Sequence, residues 1–101
     1  MIKSFYSLLL ALVSASAFSQ AFITTWNTAN PGTSANNVIT IPTNPAYTNY
    51  NYTVDWGDGT TTSNATGNRA HTYAAPGVYT VSITGTFPAI FFINMGDRRK
   101  I

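Results

Sequence analysis

The sequence predicts an all-β protein, a sandwich of two small antiparallel sheets, on three observations. From residue 21 onward, short runs of apolar and threonine residues alternate with clusters of Asn, Pro, Gly and Ser. No stretch of that region carries the three-to-four-residue period of a helix. Two of the runs, Tyr50 to Trp56 and Val78 to Thr84, alternate strictly between apolar and polar residues, as strands with one buried and one wet face do. Turn signals recurring this often between short alternating strands favour two packed sheets over a single one.

The chain opens with a different text. Met1-Ile2-Lys3-Ser4 is a short positive start, and Phe5 to Val13 is an apolar run containing Leu8, Leu9, Leu10 and Leu12. Small residues follow. Ala15-Ser16-Ala17 fits the small-x-small cleavage rule with a cut before Phe18, and Ala17-Phe18-Ser19 fits with a cut before Gln20. The run is well short of the ~20 apolar residues of a membrane-spanning helix. Residues 1–19 are therefore expected to be a secretory signal peptide, cleaved after 17 or 19, and the mature chain is expected to be secreted or held at the cell surface. No later stretch is long enough to span a membrane.

What remains is a body of roughly 80 residues, near the lower limit for a core without staples. Among the 101 residues there is no cysteine, which excludes disulfides, thiolate metal sites and cysteine nucleophiles. The formal charge of +2 misleads, because Lys3 belongs to the leader and Arg98, Arg99 and Lys100 crowd the end. Between them the body holds Arg69, Asp55 and Asp58, with Asp97 just before the basic cluster, so there is no basic face and nucleic acid is not an expected partner.

Each element follows in order. Ala21 to Trp26 is a first strand, and Asn27 to Asn37, centred on Asn30-Pro31-Gly32, is a loop. Val38 to Ile41 is a short strand closed by Pro42, and Thr43 to Asn49 is a second loop. Tyr50, Tyr52, Val54 and Trp56 share the inner face of the third strand, which Gly57-Asp58-Gly59 breaks. Thr60 to Asn68 reads as a polar turn region, Arg69 to Tyr73 as a short strand and Pro76-Gly77 as a tight turn. Val78 to Thr84 points Tyr79, Val81 and Ile83 inward. Phe87 to Asn94 is apolar without alternation, so a strand there needs cover on both faces, and Phe92 is a residue that lack of cover leaves exposed. The domain is expected to occupy 21–94, with 95–101 a polar tail at the boundary to a missing downstream region.

Three blocks stand in a telling order: Tyr52-Thr53-Val54-Asp55-Trp56-Gly57-Asp58-Gly59-Thr60, then His71-Thr72-Tyr73, then Pro76-Gly77-Val78-Tyr79-Thr80-Val81-Ser82-Ile83. The pattern resembles the PKD (polycystic kidney disease) repeat over about residues 36–85, with Val54-Asp55-Trp56 where that family often has aromatic-Asp-aromatic. The resemblance implies an immunoglobulin-like β-sandwich. Phe22-Ile23-Thr24-Thr25-Trp26, Pro31-Gly32-Thr33-Ser34, Ile39-Thr40-Ile41-Pro42 and Gly85-Thr86-Phe87-Pro88 further resemble the N-terminal module of bacterial BspA-like leucine-rich-repeat surface proteins, in which repeats follow the module.

Few residues can carry chemistry. Asp58, with Asp55 three residues before it, invites a calcium reading, but calcium wants six to eight oxygens and the D-x-[DN]-x-[DN]-G spacing is absent. The competing expectation is that Asp58 accepts hydrogen bonds from nearby backbone N–H groups. A calcium titration against the thermal midpoint separates the two. His71 is the lone histidine, with Asp58 and Ser63 its only plausible catalytic partners, and packing inside the fold is the favoured role. Tyr73 matches the position of a tyrosine corner, its hydroxyl tied to the backbone. Trp26, Tyr47 and Tyr50 are the aromatics left over for a sugar-stacking platform, although aromatics dominate small cores in general. Asn51-Tyr52-Thr53 and Asn64-Ala65-Thr66 fit the N-glycosylation pattern, incidental if the chain is bacterial as the resemblance implies.

The expectation is thus a non-catalytic extracellular spacer or adhesion module, with no catalytic, cofactor or metal residues and an extracellular protein or glycan as partner. The alternative is a polysaccharide-binding accessory module of a secreted hydrolase.

Overall fold

The computed structural model describes residues 21–92 and 96–101. The leader expected at 1–19 lies outside them. Six strands form in chain order: β1 (Phe22–Asn27), β2 (Val38–Ile41), β3 (Asn51–Asp55), β4 (Thr61–Ala65), β5 (Arg69–Thr72) and β6 (Val78–Thr86). They build one four-stranded sheet in the order β1-β6-β3-β4 and one two-stranded sheet, β2-β5, with every pair antiparallel. The all-β sandwich expected from the alternation is the fold observed.

The inner faces are those the alternation marks. Tyr50, Tyr52, Val54 and Trp56 are buried along β3 and its flanks, and Val81 and Ile83 along β6. Tyr79 is only half-buried at the rim. From the smaller sheet Ile39 and Ile41 close over them, with Trp26 of β1 and Tyr73 just past β5 completing the cluster. Each such side chain withdrawn from water contributes about 1.5–3 kcal/mol, the main resource of a domain without cross-links.

Three expectations need correction. Residues 60–68 are not all turn, because Thr61–Ala65 pairs with β3 as the edge strand β4. Its sequence, Thr-Thr-Ser-Asn-Ala, has one apolar residue, Ala65, which is buried, so no hydrophobic period announces it. The register slips between Tyr52↔Ala65 and Val54↔Thr62, where β4 holds one extra residue and Asn64 takes φ 57°. Second, β6 runs two residues past the expected Thr84 to pair Thr86 with Asn51.

The third correction concerns the end of the chain. Residues 97–101 are not a free polar tail: Arg98–Lys100 form one 3-10 turn, and Asp97 and Lys100 are fully buried. Before them, the apolar run 87–92 is used to seal the sandwich. Ile90 makes an isolated antiparallel bridge with Thr43, and the Phe91 amide donates to the Pro42 carbonyl at 3.2 Å. Phe92 is half-buried with its ring 5.9 Å from Trp26, not left bare. Phe87 lies 4.9 Å from Tyr52 and 5.5 Å from Tyr50, ring to ring. Residues 93 and 94, the end of the expected apolar segment, fall outside the described residues. No described helix is long and apolar enough to cross a membrane.

Candidate functional site

The polar residues most capable of chemistry meet at the turn after β3. The Trp56 amide donates to the Thr60 carbonyl at 3.1 Å and closes the turn, while the Asp55 carboxylate accepts from the Gly57 amide at 3.0 Å. Gly57 sits at φ 80°, and a Cβ there would collide with the Thr80 carbonyl oxygen of β6. Asp58 Oδ1 accepts from the Thr60 amide at 3.0 Å and from the Thr60 hydroxyl at 2.5 Å. Its other oxygen, Oδ2, meets His71 Nε2 at 2.8 Å.

His71 comes from β5, in the opposite sheet, so this bond joins the two sheets through side chains. Its ring lies flat on the Trp56 indole, centroids 4.5 Å apart at 7°, and edge-on to Tyr73 at 4.6 Å. Tyr73 stacks in turn on Tyr79 at 3.8 Å, and its hydroxyl donates to the Trp56 carbonyl at 2.7 Å. The tyrosine corner expected at Tyr73 is not formed there, because the acceptor lies 17 residues back; the short return to the backbone is made by Tyr79, whose hydroxyl donates to the Ala75 carbonyl four residues upstream at 2.7 Å. Burial pushes the Tyr73 hydroxyl above its ordinary range, reinforced by the charge of Asp58. For Asp58, what desolvation there is works upward, but the bonds from the Thr60 hydroxyl, His71 and the Thr60 amide outweigh it and hold the carboxyl down at about 2.

Acid, histidine and hydroxyl stand together here, and the geometry decides what they can do. A relay needs the imidazole between the acid and the nucleophile, one ring nitrogen for each. Here Nε2 faces Asp58 at 2.8 Å and Thr60 Oγ1 at 3.5 Å, and Thr60 already donates its proton to the carboxylate. The hydroxyl is thus spent on the acid and not activated by the base. For a cation the case is similar, since both Asp58 oxygens are taken by protein donors. Among the described residues no three His, Cys, Asp or Glu side chains lie close enough together to hold a metal.

The three aromatics set aside for a sugar platform do not form one. Trp26 is wholly buried with its Nε1 donating to Thr24 Oγ1 at 2.7 Å, and Tyr50 is buried with its hydroxyl on the Ala89 carbonyl at 2.6 Å. Only Tyr47 is exposed. Tyr52 and Tyr79 likewise donate to backbone carbonyls, of Gly67 and Ala75. Burial raises the Tyr52 hydroxyl to about 12 against the lowering charge of Arg69. A groove of about 410 Å³ between Pro42, Pro45, Phe91 and Phe92 contains Thr43 and Asn68, which bond one another, and no titratable group.

A second polar centre escaped the sequence altogether. Asp97 accepts from the Ser34 amide at 2.9 Å and the Thr40 amide at 2.8 Å, with the Thr33 hydroxyl at 3.4 Å. Lys100 Nζ donates to the carbonyls of Ser34, Ala35 and Val38 at 3.1, 2.6 and 2.9 Å. Burial opposes ionisation of Asp97, yet its bonds from Ser34 and Thr40, with the nearby Lys100 charge, leave its pKa below the ordinary carboxylate value. The signal was not local, because these partners lie some sixty residues away. Among the described residues no buried side-chain polar atom lacks a hydrogen-bond partner.

A two-sheet antiparallel sandwich with a tyrosine corner, here at Tyr79, belongs to the immunoglobulin-like class. The sequence model of the PKD domain matches residues 20–86, and the chain belongs to that family. The match takes in β1 and runs to the end of β6, so it is wider than the 36–85 expected and stops short of Asp97 and Lys100. PKD domains are typically extracellular interaction modules without catalytic activity. Among curated proteins and among solved structures, nothing matches the chain.

Proposed function

We propose that this chain is a non-catalytic extracellular spacer or adhesion module, exported by a cleaved signal at residues 1–19 and placed at the front of a larger surface protein of the BspA-like type. One observation carries the reading. Asp58, Thr60 and His71, the residues best suited to chemistry, bond one another and join the two sheets. Their roles are architectural, and what the module offers a partner is surface. A polysaccharide-binding role has less support, because of Trp26, Tyr47 and Tyr50 only Tyr47 is exposed. That partner would be an extracellular protein rather than a glycan.

The test is a pull-down of the secreted chain on insoluble polysaccharides beside immobilised extracellular matrix proteins. Retention by matrix protein alone is the expected result. Retention on polysaccharide that disappears with Tyr47→Ala would overturn the reading in favour of the accessory-module alternative. N-terminal sequencing of the secreted chain is expected to begin at Phe18 or Gln20.

A further inference from the structure

The larger sheet has two edges, and they are finished differently. At one end β4 carries a register irregularity and a residue at φ 57°, both of which twist an edge away from new partners. At the other end β1 pairs with β6 without a slip over all six residues, Phe22 to Asn27. It holds no charge, no proline and no bulge, the devices that ordinarily guard an edge. Ile23 is exposed on it, as is Phe22. Among the described residues no second strand lies beside β1.

The direction of its free backbone groups follows from the register. The Thr28 amide donates to the Gly77 carbonyl at 2.9 Å, continuing the β1–β6 ladder by one pair. Antiparallel pairs alternate, so Trp26, Thr24 and Phe22 direct their backbone groups at β6, and Ile23, Thr25 and Asn27 direct theirs away. Asn27's carbonyl is already taken by the Asn30 amide. The open edge is therefore the paired N–H and C=O of Ile23 and of Thr25, with the lone N–H of Asn27 beyond them. We infer that β1 is a self-pairing edge, joining a second copy of this chain antiparallel about a two-fold axis through Thr24.

That register is the one in which everything matches. Ile23 faces Thr25 of the second copy and Thr25 faces its Ile23, so the two donors and two acceptors on each side satisfy one another completely. Thr24 meets Thr24 between them. Inward-facing residues stay opposite inward-facing residues, and the two sheets become one continuous eight-stranded sheet built of four strands from each copy. An uncharged strand brings no like-charge repulsion to this symmetric contact. The inference goes beyond the module reading and fails separately from it, since a monomeric module can still be an adhesion domain.

The test is sedimentation equilibrium of the exported chain over a concentration series; either cleavage position leaves β1 intact. A monomer–dimer equilibrium is expected. Thr25→Pro removes an N–H that points away from β6, and the symmetry of the dimer makes that two lost bonds, so the dissociation constant should rise roughly 30-fold. Ile23→Lys, placing a charge beside the contact, should weaken it as well, whereas Thr61→Lys on the β4 edge should leave it unchanged. Circular dichroism of each variant checks that the sandwich persists. A chain monomeric at every concentration overturns the inference, and so does a dimer that a folded Ile23→Lys and a folded Thr25→Pro both leave intact.

Discussion

Asp58 gains its bonds from residues both near and far in the chain: Thr60 two positions on, and His71 thirteen positions on in the other sheet. Its carboxyl is held at about 2 in the fold against an ordinary 3.8. A depressed carboxylate contributes stability that is fully present above the unfolded value and is lost as pH falls through the folded one. Asp58→Asn should therefore destabilise the domain by about 1 kcal/mol near neutrality, a modest figure because the site is part-exposed. The difference from wild type should shrink below pH 4 and vanish only below pH 2. Urea titrations of both proteins at several pH values check this, and a gap that persists unchanged at pH 2 would refute it. The Asp58–Thr60 bonds were legible in the sequence because both residues lie within one motif. The His71 stack on Trp56 was not, since it depends on how the two sheets face each other.

At the scale of elements, the β3–β4 connection holds two glycines with similar backbones and different surroundings. Gly57 has φ 80° and the Thr80 carbonyl of β6 against it, whereas Gly59 has φ 90° and open space. Gly59→Ala should cost about 1 kcal/mol for conformation alone. Gly57→Ala adds a backbone collision and should cost about 3 kcal/mol or prevent folding. Thermal midpoints of the pair decide it; equal losses would mean that β6 yields. The strands themselves divide the same way in legibility. β3 and β6 alternate, and their cores could be read directly, down to Val54 and Val81. β4 stayed hidden because an edge strand facing water on one side and a neighbour's ladder on the other needs almost no apolar residue.

For the molecule as a whole, a cysteine-free sandwich is fastened at its open side by the last five residues. Asp97 holds the amides of Ser34 and Thr40, and Lys100 holds three carbonyls of the same region, so the 28–37 loop and β2 are gripped by both signs of charge. Asp97→Ala strands two amides and should cost about 3 kcal/mol. Hydrogen exchange should show the Ser34 and Thr40 amides losing protection first, while those of β3 and β6 keep theirs. Uniform loss across the domain would contradict a local fastening. No pattern in residues 96–101 announces this role, because a carboxylate and an ammonium near a chain end look the same whether solvated or enclosed.

The fastening also has a place in time. A chain made from its N-terminus presents the Thr40 amide 57 residues, and the Ser34 amide 63 residues, before the carboxylate that receives them. Every strand of both sheets has been synthesised by then, but the 28–37 loop has nothing to close on. Closure of that loop thus waits on Asp97 and Lys100, and a copy halted before residue 97 would carry all six strands and an unlatched side.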